Sequence, residues 1–433
     1  MALNIPELLH SGDEQLTLAT LEYLLWHADK NPEFIFDQYL DSENTLIADT
    51  ALFCMAKETV GNVILKSEYK LKERIEHRLS NTNVGINRLL LKTIGVSGFQ
   101  DFYPIVLQNL DGKDIEITFG AIEAAGLSMH PIFIKKLVQL LPNKKYRQKV
   151  VEALHDYGPG ILPILASLVR KRTIRLEVCR FIPLVMKSFK SKEAVHFLFL
   201  LFDDVDLSVR LQVVRALSDI RAERPTLRFN RFRVAAKIFE ECRLYHQTLS
   251  AMHTQIIVSY RNRKKSRHEV KPDERDARSS LLELLERRLD AGLERIFKLL
   301  GLKYSQKDVQ IAYLGLLSDK EEARNNAIDF LDNLLTGSLK QRVLPIIEEA
   351  TLDISSEEAI QKIKHSIPTE MECFEQLVQV PDLKVKLAVL YLIGKQGDNR
   401  YVPLLRRFTA EEDPKLRDFA QKALQEIEAT IPS

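Results

Sequence analysis

The feature that most constrains the fold is a short pattern that occurs twice, 207 residues apart. Each copy begins with an aspartate and continues with apolar residues three and four positions apart. The aspartate can cap a helix by accepting a backbone N–H, and the apolar spacing is that of one face of an α-helix. The matched positions are Asp206, Val209, Arg210, Val213, Ala216, Leu217 and Ile220, and then Asp413, Leu416, Arg417, Ala420, Ala423, Leu424 and Ile427. Such a repeat predicts stacked helical units, each of which buries the apolar face of its neighbour.

The length of the chain and a recurring glycine support the same architecture. At 433 residues the chain is too long for one hydrophobic core, since single cores stop growing at roughly 250 to 300 residues. Gly95, Gly126 and Gly158 lie 31 and 32 residues apart, and each is followed by a proline (Pro104, Pro131 and Pro163). We interpret the glycines as helix stops and the prolines as helix starts. The predicted fold class is all-α, an αα-superhelix of roughly ten or eleven helix pairs without strands.

Two stretches resemble a known family. The pattern Asp-x-x-Val-Arg-x-x-Val-x-x-Ala-Leu-x-x-Ile at residues 206–220 resembles the second helix of HEAT repeats, so the superhelix is expected to be a HEAT-like α-solenoid. Residues 293–348, which contain LERIFKLLGLKYSQKDVQIAYLGLLSD, ARNNAIDFLDNLL and LKQRVLPIIEE, are similar to the cytosolic HEAT-repeat extensions of bacterial nucleotide-transporter-like (ATP/ADP translocase-like) membrane proteins. This resemblance implies that the chain is the soluble regulatory or assembly region of a longer, transporter-like membrane protein.

The repeat period breaks between residues 222 and 303. Spacings of three and four recur over two long stretches there, which predicts two long helices with heptad-like seams, joined near Pro272 into an antiparallel hairpin. The predicted seams are Phe232, Ala235, Phe239, Cys242, His246, Leu249, His253, Ile256 and Tyr260, and Leu282, Leu285, Leu289, Leu293, Ile296 and Leu300. We therefore divide the chain into N-terminal HEAT-like repeats (1–221), a long basic helical hairpin insertion (222–303) and C-terminal HEAT-like repeats (304–433).

The hairpin carries most of the charge asymmetry. Residues 221–278 contain 15 Lys or Arg and 7 Asp or Glu, a balance of +8 (15 − 7), so the rest of the chain must sum to −6 (2 − 8) to give the net charge of +2. The basic residues are densest at the predicted tip, and the candidate binding residues there are Arg261, Arg263, Lys264, Lys265 and Arg267. They could bind an anionic membrane surface, an acidic protein partner or a nucleic acid, or form a solvated loop without a ligand. Nucleic acid is the less favoured ligand, because RNRKKSR lacks interleaved aromatic residues.

Other candidate sites are weaker. Cys242, His246 and His253 are weak metal-ligand candidates on one predicted seam, but the opposing seam offers no His, Cys, Asp or Glu in register, so we predict no metal. No phosphate-binding loop, dinucleotide fingerprint, nucleophile elbow or HExxH motif occurs, and we predict no cofactor and no enzymatic activity. The alternative is a nucleic-acid-binding HEAT protein or a HEAT-like DNA glycosylase. The latter needs aromatic and basic residues along one groove, whereas Trp26 is the single tryptophan.

These observations lead to a functional expectation. The four cysteines are isolated from one another, and no secretory signal or membrane-spanning stretch is recognised, which favours the cytoplasm. We expect a scaffold that binds a protein partner on its concave surface and uses the basic hairpin as a second contact, with a membrane surface or a membrane-embedded transporter region. We expect the repeated Arg210 and Arg417 to be structural, holding a carboxylate or loop carbonyl between repeats, and Phe229 and Phe232 to lie in the core.

Overall fold

The computed structural model describes residues 5–27, 35–80, 85–264, 272–351, 368–380 and 382–429, without the side chains of residues 263 and 264. Within these ranges all regular structure is helical. The fold class is all-α, of the HEAT-like stacked-helix type, with a long inserted hairpin, as the repeat pattern predicted. In chain order the α-helices are α1 (Ile5–Leu9), α2 (Glu14–Trp26), α3 (Thr45–Glu58), α4 (Val63–Glu68), α5 (Leu71–Ser80), α6 (Arg88–Ser97), α7 (Tyr103–Leu110), α8 (Ile115–Ser128), α9 (Ile134–Leu140), α10 (Arg147–Asp156), α11 (Leu162–Arg170), α12 (Leu176–Cys179), α13 (Ile182–Ser188), α14 (Lys192–Leu201), α15 (Leu207–Glu223), α16 (Arg231–Lys264), α17 (Pro272–Lys303), α18 (Gln306–Leu316), α19 (Glu321–Leu334), α20 (Gly337–Ala350), α21 (Glu370–Gln379), α22 (Leu383–Gln396), α23 (Val402–Phe408) and α24 (Pro414–Glu428).

The chain packs as two units, Met1–Phe189 and Lys190–Ser433. In the first unit, helices α3, α6, α8, α10 and α13 pack in succession, each against the next. In the second unit, α15, α17, α22 and α24 form the equivalent succession, and the buried core runs from Leu281 and Leu285 of α17 into α21 to α24. The three-part division at residues 221 and 303 stays a prediction.

The repeated aspartates cap helices, as their position in the repeat predicted. The side chains of Asp206 and Asp413 each accept hydrogen bonds from the backbone N–H groups of the second and third residues of α15 and α24. Asp382, which lies outside the two matched copies, caps α22 in the same way. Each cap satisfies two of the four N–H groups that have no partner within the helix. The start of each of these helices is therefore encoded locally, by one side chain.

The repeated arginines bind loop carbonyls, which confirms their predicted structural role. Arg210 donates to the carbonyl oxygen of Asp204 at 2.5 Å, and Arg417 donates to that of Glu411 at 3.1 Å. In both cases the acceptor lies six residues earlier, in the loop that precedes the helix. Arg324 makes the same contact with the loop before α19, at 2.9 Å. These bonds fix the angle at which the chain enters each helix.

Two of the recurring glycines do not end helices, so this part of the prediction was wrong. Gly95 lies inside α6, where a Cβ atom would come within 2.3 Å of the carbonyl oxygen of Ala124 on α8. Gly126 lies inside α8, where a Cβ atom would come within 2.9 Å of Ala153 Cα on α10. Helix α6 ends instead at Gly98, in the left-handed region. The glycine period therefore marks close approach of successive helices.

The third glycine and the prolines behave as predicted. Gly158 follows the end of α10 with a φ of +72°, a value that favours glycine. Pro104 and Pro163 lie in the first turns of α7 and α11, and Pro131 begins the short 3-10 turn before α9. Proline suits a first turn because the N–H that it lacks has no partner there.

The long hairpin consists of α16 and α17, which have 34 and 32 residues and pack against each other. At 1.5 Å per residue each arm is about 50 Å long. Phe229, just before α16, is buried as predicted, but Phe232 is 89% exposed, so its assignment to the core was wrong. Asn230 caps α16 by accepting from the N–H groups of Phe232 and Arg233. Phe232 therefore lies in the first turn of the helix, on the side that faces solvent.

Substitution of the close-packing glycine tests this account of the repeat. Gly95→Ala should lower the free energy of unfolding by about 1–3 kcal/mol, because the added methyl group forces α6 and α8 apart. The measurement is urea unfolding followed by far-UV circular dichroism. Gly160→Ala is the matched control, since nothing lies within 4 Å of a Cβ atom there. The control should stay within about 0.5 kcal/mol of the parent, and equal effects of the two substitutions would contradict the packing role.

Candidate functional site

A buried carboxylate joins the two arms of the hairpin. Glu241 of α16 and Arg295 of α17 are both buried, and Arg295 Nε donates to Glu241 Oε2 at 2.7 Å. Arg210 of α15 also reaches this carboxylate, with its Nη1 3.3 Å from Glu241 Oε1. One side chain thus ties together both arms and the repeat that precedes them.

Two further arginines of α17 continue the seam along the hairpin. Arg288 Nε donates to Thr248 Oγ1 at 3.0 Å, and Arg278 Nη1 donates to Gln255 Oε1 at 2.5 Å. Burial lowers the pKa of Arg288, whose Nη1 lies 3.7 Å from Asp382 Oδ2 and has no hydrogen-bond partner among the described residues. Polar contacts to arginine therefore recur along the hairpin interface, at Glu241, Thr248 and Gln255.

The apolar seam predicted for α16 lies one position away from the true interface with α17. Tyr245 is buried against Gly292 of α17, where a Cβ atom would come within 3.0 Å of the tyrosine ring. The next residue, His246, was assigned to the seam but is exposed. The hydrophobic spacing predicts that Glu241 and Gln255 face solvent. Both are buried instead, and each accepts a hydrogen bond from an arginine of α17.

At the C-terminal end of α16 the structure forms a cleft of about 620 Å³. Its walls come from α16, from the start of α21 and from the 3-10 turn Asn399–Tyr401. The polar residues that line it include Arg261, Asn262, Thr369, Glu370, Arg400 and Tyr401. The volume lies within the range of pockets that bind small molecules.

The acidic group in this cleft is already neutralised. Glu370 Oε1 accepts from Arg278 Nη1 at 2.6 Å and from Gln396 Nε2 at 3.0 Å. Glu370 Oε2 lies 3.3 Å from the donating hydroxyl of Tyr401. Burial raises the pKa of Tyr401 well above its usual range, and the charge of Glu370 raises it further. The phenol therefore stays protonated, as a hydrogen-bond donor, at neutral pH.

The two arginines of the cleft differ in whether they form an ion pair. Arg400 is held by Asp398 at 2.6 Å. Arg261 is exposed and has no ion-pair partner among the described residues. At the start of α21, the capping box of Thr369 and Glu372 leaves the first two N–H groups of the helix without an intrahelical partner. The cleft can therefore accept a carboxylate or a phosphate.

The structure tests few of the predicted basic contacts. Arg261 lies on the cleft wall. The side chains of Arg263 and Lys264 lie outside the described residues, as do Lys265 and Arg267 entirely. Their role stays a prediction.

Two of the three weak metal-ligand candidates, His246 and His253, lie beside one carboxylate. Burial raises the pKa of the Cys242 thiol to about 12, and the neighbouring Glu241 contributes. His246 Nδ1 and His253 Nδ1 lie 3.3 Å and 3.7 Å from the two carboxylate oxygens of Glu349 on α20. Across the part of the chain that the structure describes, no group of three His, Cys, Asp or Glu side chains is arranged to hold a metal ion.

Most of the cleft could not have been found in the sequence. The capping box has a local signature, Thr369 followed three residues later by Glu372. By contrast, Arg400 and Tyr401 lie in a short turn without a recognisable motif. The same holds outside the cleft for Glu349, which lies beside His246 and His253 but is 103 residues from His246 in the sequence.

Comparison with known proteins identifies no family. No family model matches the chain, and no curated protein matches it. Among solved structures, an engineered protein from a structural genomics consortium has 16% identity and a TM-score of 0.27, with 98% of each chain covered. A structure from a study of the interaction between cadherin and beta-catenin has 12% identity and a TM-score of 0.24, with 99% of each chain covered. A structure from a study of Kap95p binding to RanGDP has 11% identity and a TM-score of 0.28, with 98% of this chain and 61% of that chain covered.

Likenesses at this level carry no argument about function. The fold class therefore rests on the helices, caps and helix contacts of the chain itself: it is an all-α protein of HEAT-like helical repeats.

The buried seam predicts an unequal response to charge removal. Glu241→Leu should lower the free energy of unfolding by about 3–5 kcal/mol, because it leaves two arginines without their buried carboxylate. Addition of Arg295→Met should restore part of that loss. The control is Arg287→Ala, which breaks an exposed pair with Glu283 and should change stability by about 0.5 kcal/mol or less. Urea unfolding at pH 7 measures all three, and a small effect of Glu241→Leu would refute the seam.

His253 predicts a pH dependence of stability. Burial lowers its pKa, Glu349 raises it and His246 lowers it, with a lower value as the net result. As the pH falls below about 6.5, the unfolded chain binds a proton before the folded chain does, so stability falls by up to about 1 kcal/mol per pH unit. In the His253→Gln variant this contribution is absent, so the difference between the urea midpoints at pH 7.5 and pH 5.5 should become smaller. The exposed His77→Gln is the control, and equal pH slopes for both variants would contradict the prediction.

Proposed function

We propose that this chain is a non-catalytic helical-repeat scaffold that binds a protein partner, and that the basic end of its long hairpin binds an acidic segment of that partner. The observation that carries the proposal is Arg261, an exposed cation on the cleft wall without an ion-pair partner among the described residues. It lies in the most basic stretch of the chain, where the balance over residues 221–278 is +8 (15 − 7).

The helices that form the cleft are suited to such a contact. The seam of buried arginines holds α16 against α17, so the end of α16 is presented on a rigid element. The first N–H groups of α21 offer neutral donors and Arg261 offers charge, whereas the Tyr401 hydroxyl already donates to Glu370. Charge-assisted hydrogen bonds to a carboxylate are about twice as strong as neutral ones.

A finer form of the proposal concerns location. From the sequence resemblance of residues 293–348 alone, we propose a cytoplasmic scaffold beside a transporter-like membrane protein, on which the basic hairpin end would face anionic lipid or the transporter itself. Among the described helices, none is long and apolar enough to cross a membrane.

The test measures binding of a fluorescent, glutamate-rich peptide by anisotropy. Changing Arg261, Arg263, Lys264, Lys265 and Arg267 together to Gln should weaken binding by about tenfold or more, and Arg261→Gln alone should weaken it less. The matched control changes five basic residues of the first unit to Gln. These are Lys144, Lys145, Arg170, Lys171 and Arg175, all exposed.

The outcomes separate the proposed ligands. Equal weakening by both sets of substitutions would mean that net charge alone drives binding, and the proposal would fail. Co-sedimentation with phosphatidylserine vesicles, but no binding of the peptide, would replace the acidic partner with a membrane surface. Tight binding of a single-stranded oligonucleotide with a steep salt dependence would replace it with nucleic acid.

A further inference from the structure

Helix α18 exposes an apolar stripe. Ile311, Leu314 and Leu317 are 56%, 59% and 53% exposed, and they recur every three residues along the helix and its C-cap. The opposite face of α18 is buried through Val309 and Ala312. Single exposed apolar residues are common on proteins, whereas an aligned row of large aliphatic side chains marks an interaction surface.

Phe330 of the neighbouring helix α19 lies level with this stripe. At Gly315, a Cβ atom would come within 2.9 Å of Ala327 Cβ, which sets the register between α18 and α19. Ile311 lies about one turn before Gly315, and Phe330 lies about one turn after Ala327, so antiparallel packing places them level with each other. Phe330 is also 40% exposed.

A depression opens beside the stripe, on the same helix. It has a volume of about 340 Å³, and Gln310 and Tyr313 of α18 and Phe297 of α17 line part of it. A helix that lies along the stripe could insert one side chain there. An apolar row beside a pocket is the arrangement that accepts the anchor residues of an amphipathic helix.

The rim of the stripe is acidic. Asp319, Glu321, Glu322 and Asp329 are exposed and have no ion-pair partner among the described residues. Two exposed lysines also lie here, Lys320 among these carboxylates and Lys307 one turn before Ile311 on the same face of α18, which leaves an excess of two negative charges (4 − 2). An occupant with positive charge along its edges would therefore be favoured over a neutral or acidic one.

We propose that this surface, defined by Ile311, Leu314, Leu317 and Phe330, binds an amphipathic α-helix of a partner protein whose apolar face is flanked by lysine or arginine. The spacing of the stripe matches anchors at positions i, i+3 or i+4, and i+7 of the bound helix. This surface is separate in residues and opposite in charge from the basic cleft. A negative result for one surface therefore leaves the proposal for the other surface unchanged.

The test uses a model helix as the probe. A fluorescent peptide of roughly 18 residues, enough for five turns, carries leucine along one face and lysine elsewhere. One control peptide has glutamate in place of lysine, and a second has the same composition in scrambled order. The protein should bind the first peptide at least about tenfold more tightly than either control.

Variants locate the binding surface. Leu314→Asp should weaken binding of the lysine peptide by about tenfold or more, and Glu321→Lys with Glu322→Lys should weaken it and reduce its salt dependence. The matched control is Ile132→Asp, an isoleucine that is 48% exposed in the first unit. Circular dichroism establishes that each variant is folded.

Two results would overturn the proposal. If Leu314→Asp and Ile132→Asp bind the peptide equally well, the stripe is not the binding surface. If sedimentation velocity shows self-association of the protein that Leu314→Asp abolishes, the occupant is a second copy of the chain.

Discussion

The Glu241 carboxylate is the interaction on which the second unit depends. It is buried and accepts from Arg295 of α17 and from Arg210 of α15, so it joins the hairpin to the regular repeats. Removal of a buried carboxylate leaves its partners charged and without compensation, which costs far more than loss of an exposed pair. Helix α17 also packs against α22, so the hairpin contacts the helices that follow it as well as α15, which precedes it.

Close approach of helices is the second constraint, and it recurs through the chain. Gly95 against Ala124 and Gly126 against Ala153 bring helices of the first unit almost to backbone contact. In the second unit, Gly394 of α22 approaches Ala423 of α24 in the same manner, with a Cβ atom placed 3.0 Å from Ala423 Cα. A side chain at any of these positions would separate two neighbouring repeats. The aspartate caps set where helices begin, and these glycines set how closely they stack.

The two proposed surfaces use opposite chemistry. The cleft at Arg261 offers a cation and neutral donors, whereas the stripe on α18 offers apolar area with carboxylates at its rim. A chain with a net charge of only +2 can therefore carry a basic site and an acidic site in one unit. Peptide binding at the cleft should weaken with salt, since charge provides most of the attraction. Binding at the stripe should retain a larger part that is independent of salt, because burial of apolar surface is not screened.

The sequence by itself determined the helical class, the repeat, the helix starts at Asp206 and Asp413, and the long hairpin, because caps and apolar spacing act within a few residues. It assigned Gly95 wrongly to a helix end, because the close contact with Ala124 that requires this glycine is visible only in the tertiary structure. The tertiary structure alone decided that Glu241 and Gln255 face the hairpin interior and that Phe232 faces solvent. A polar residue carries no sign of burial until its partner is known, and the partners of Glu241 lie 31 and 54 residues away. The cleft was hidden for the same reason, since its walls come from three separate parts of the chain.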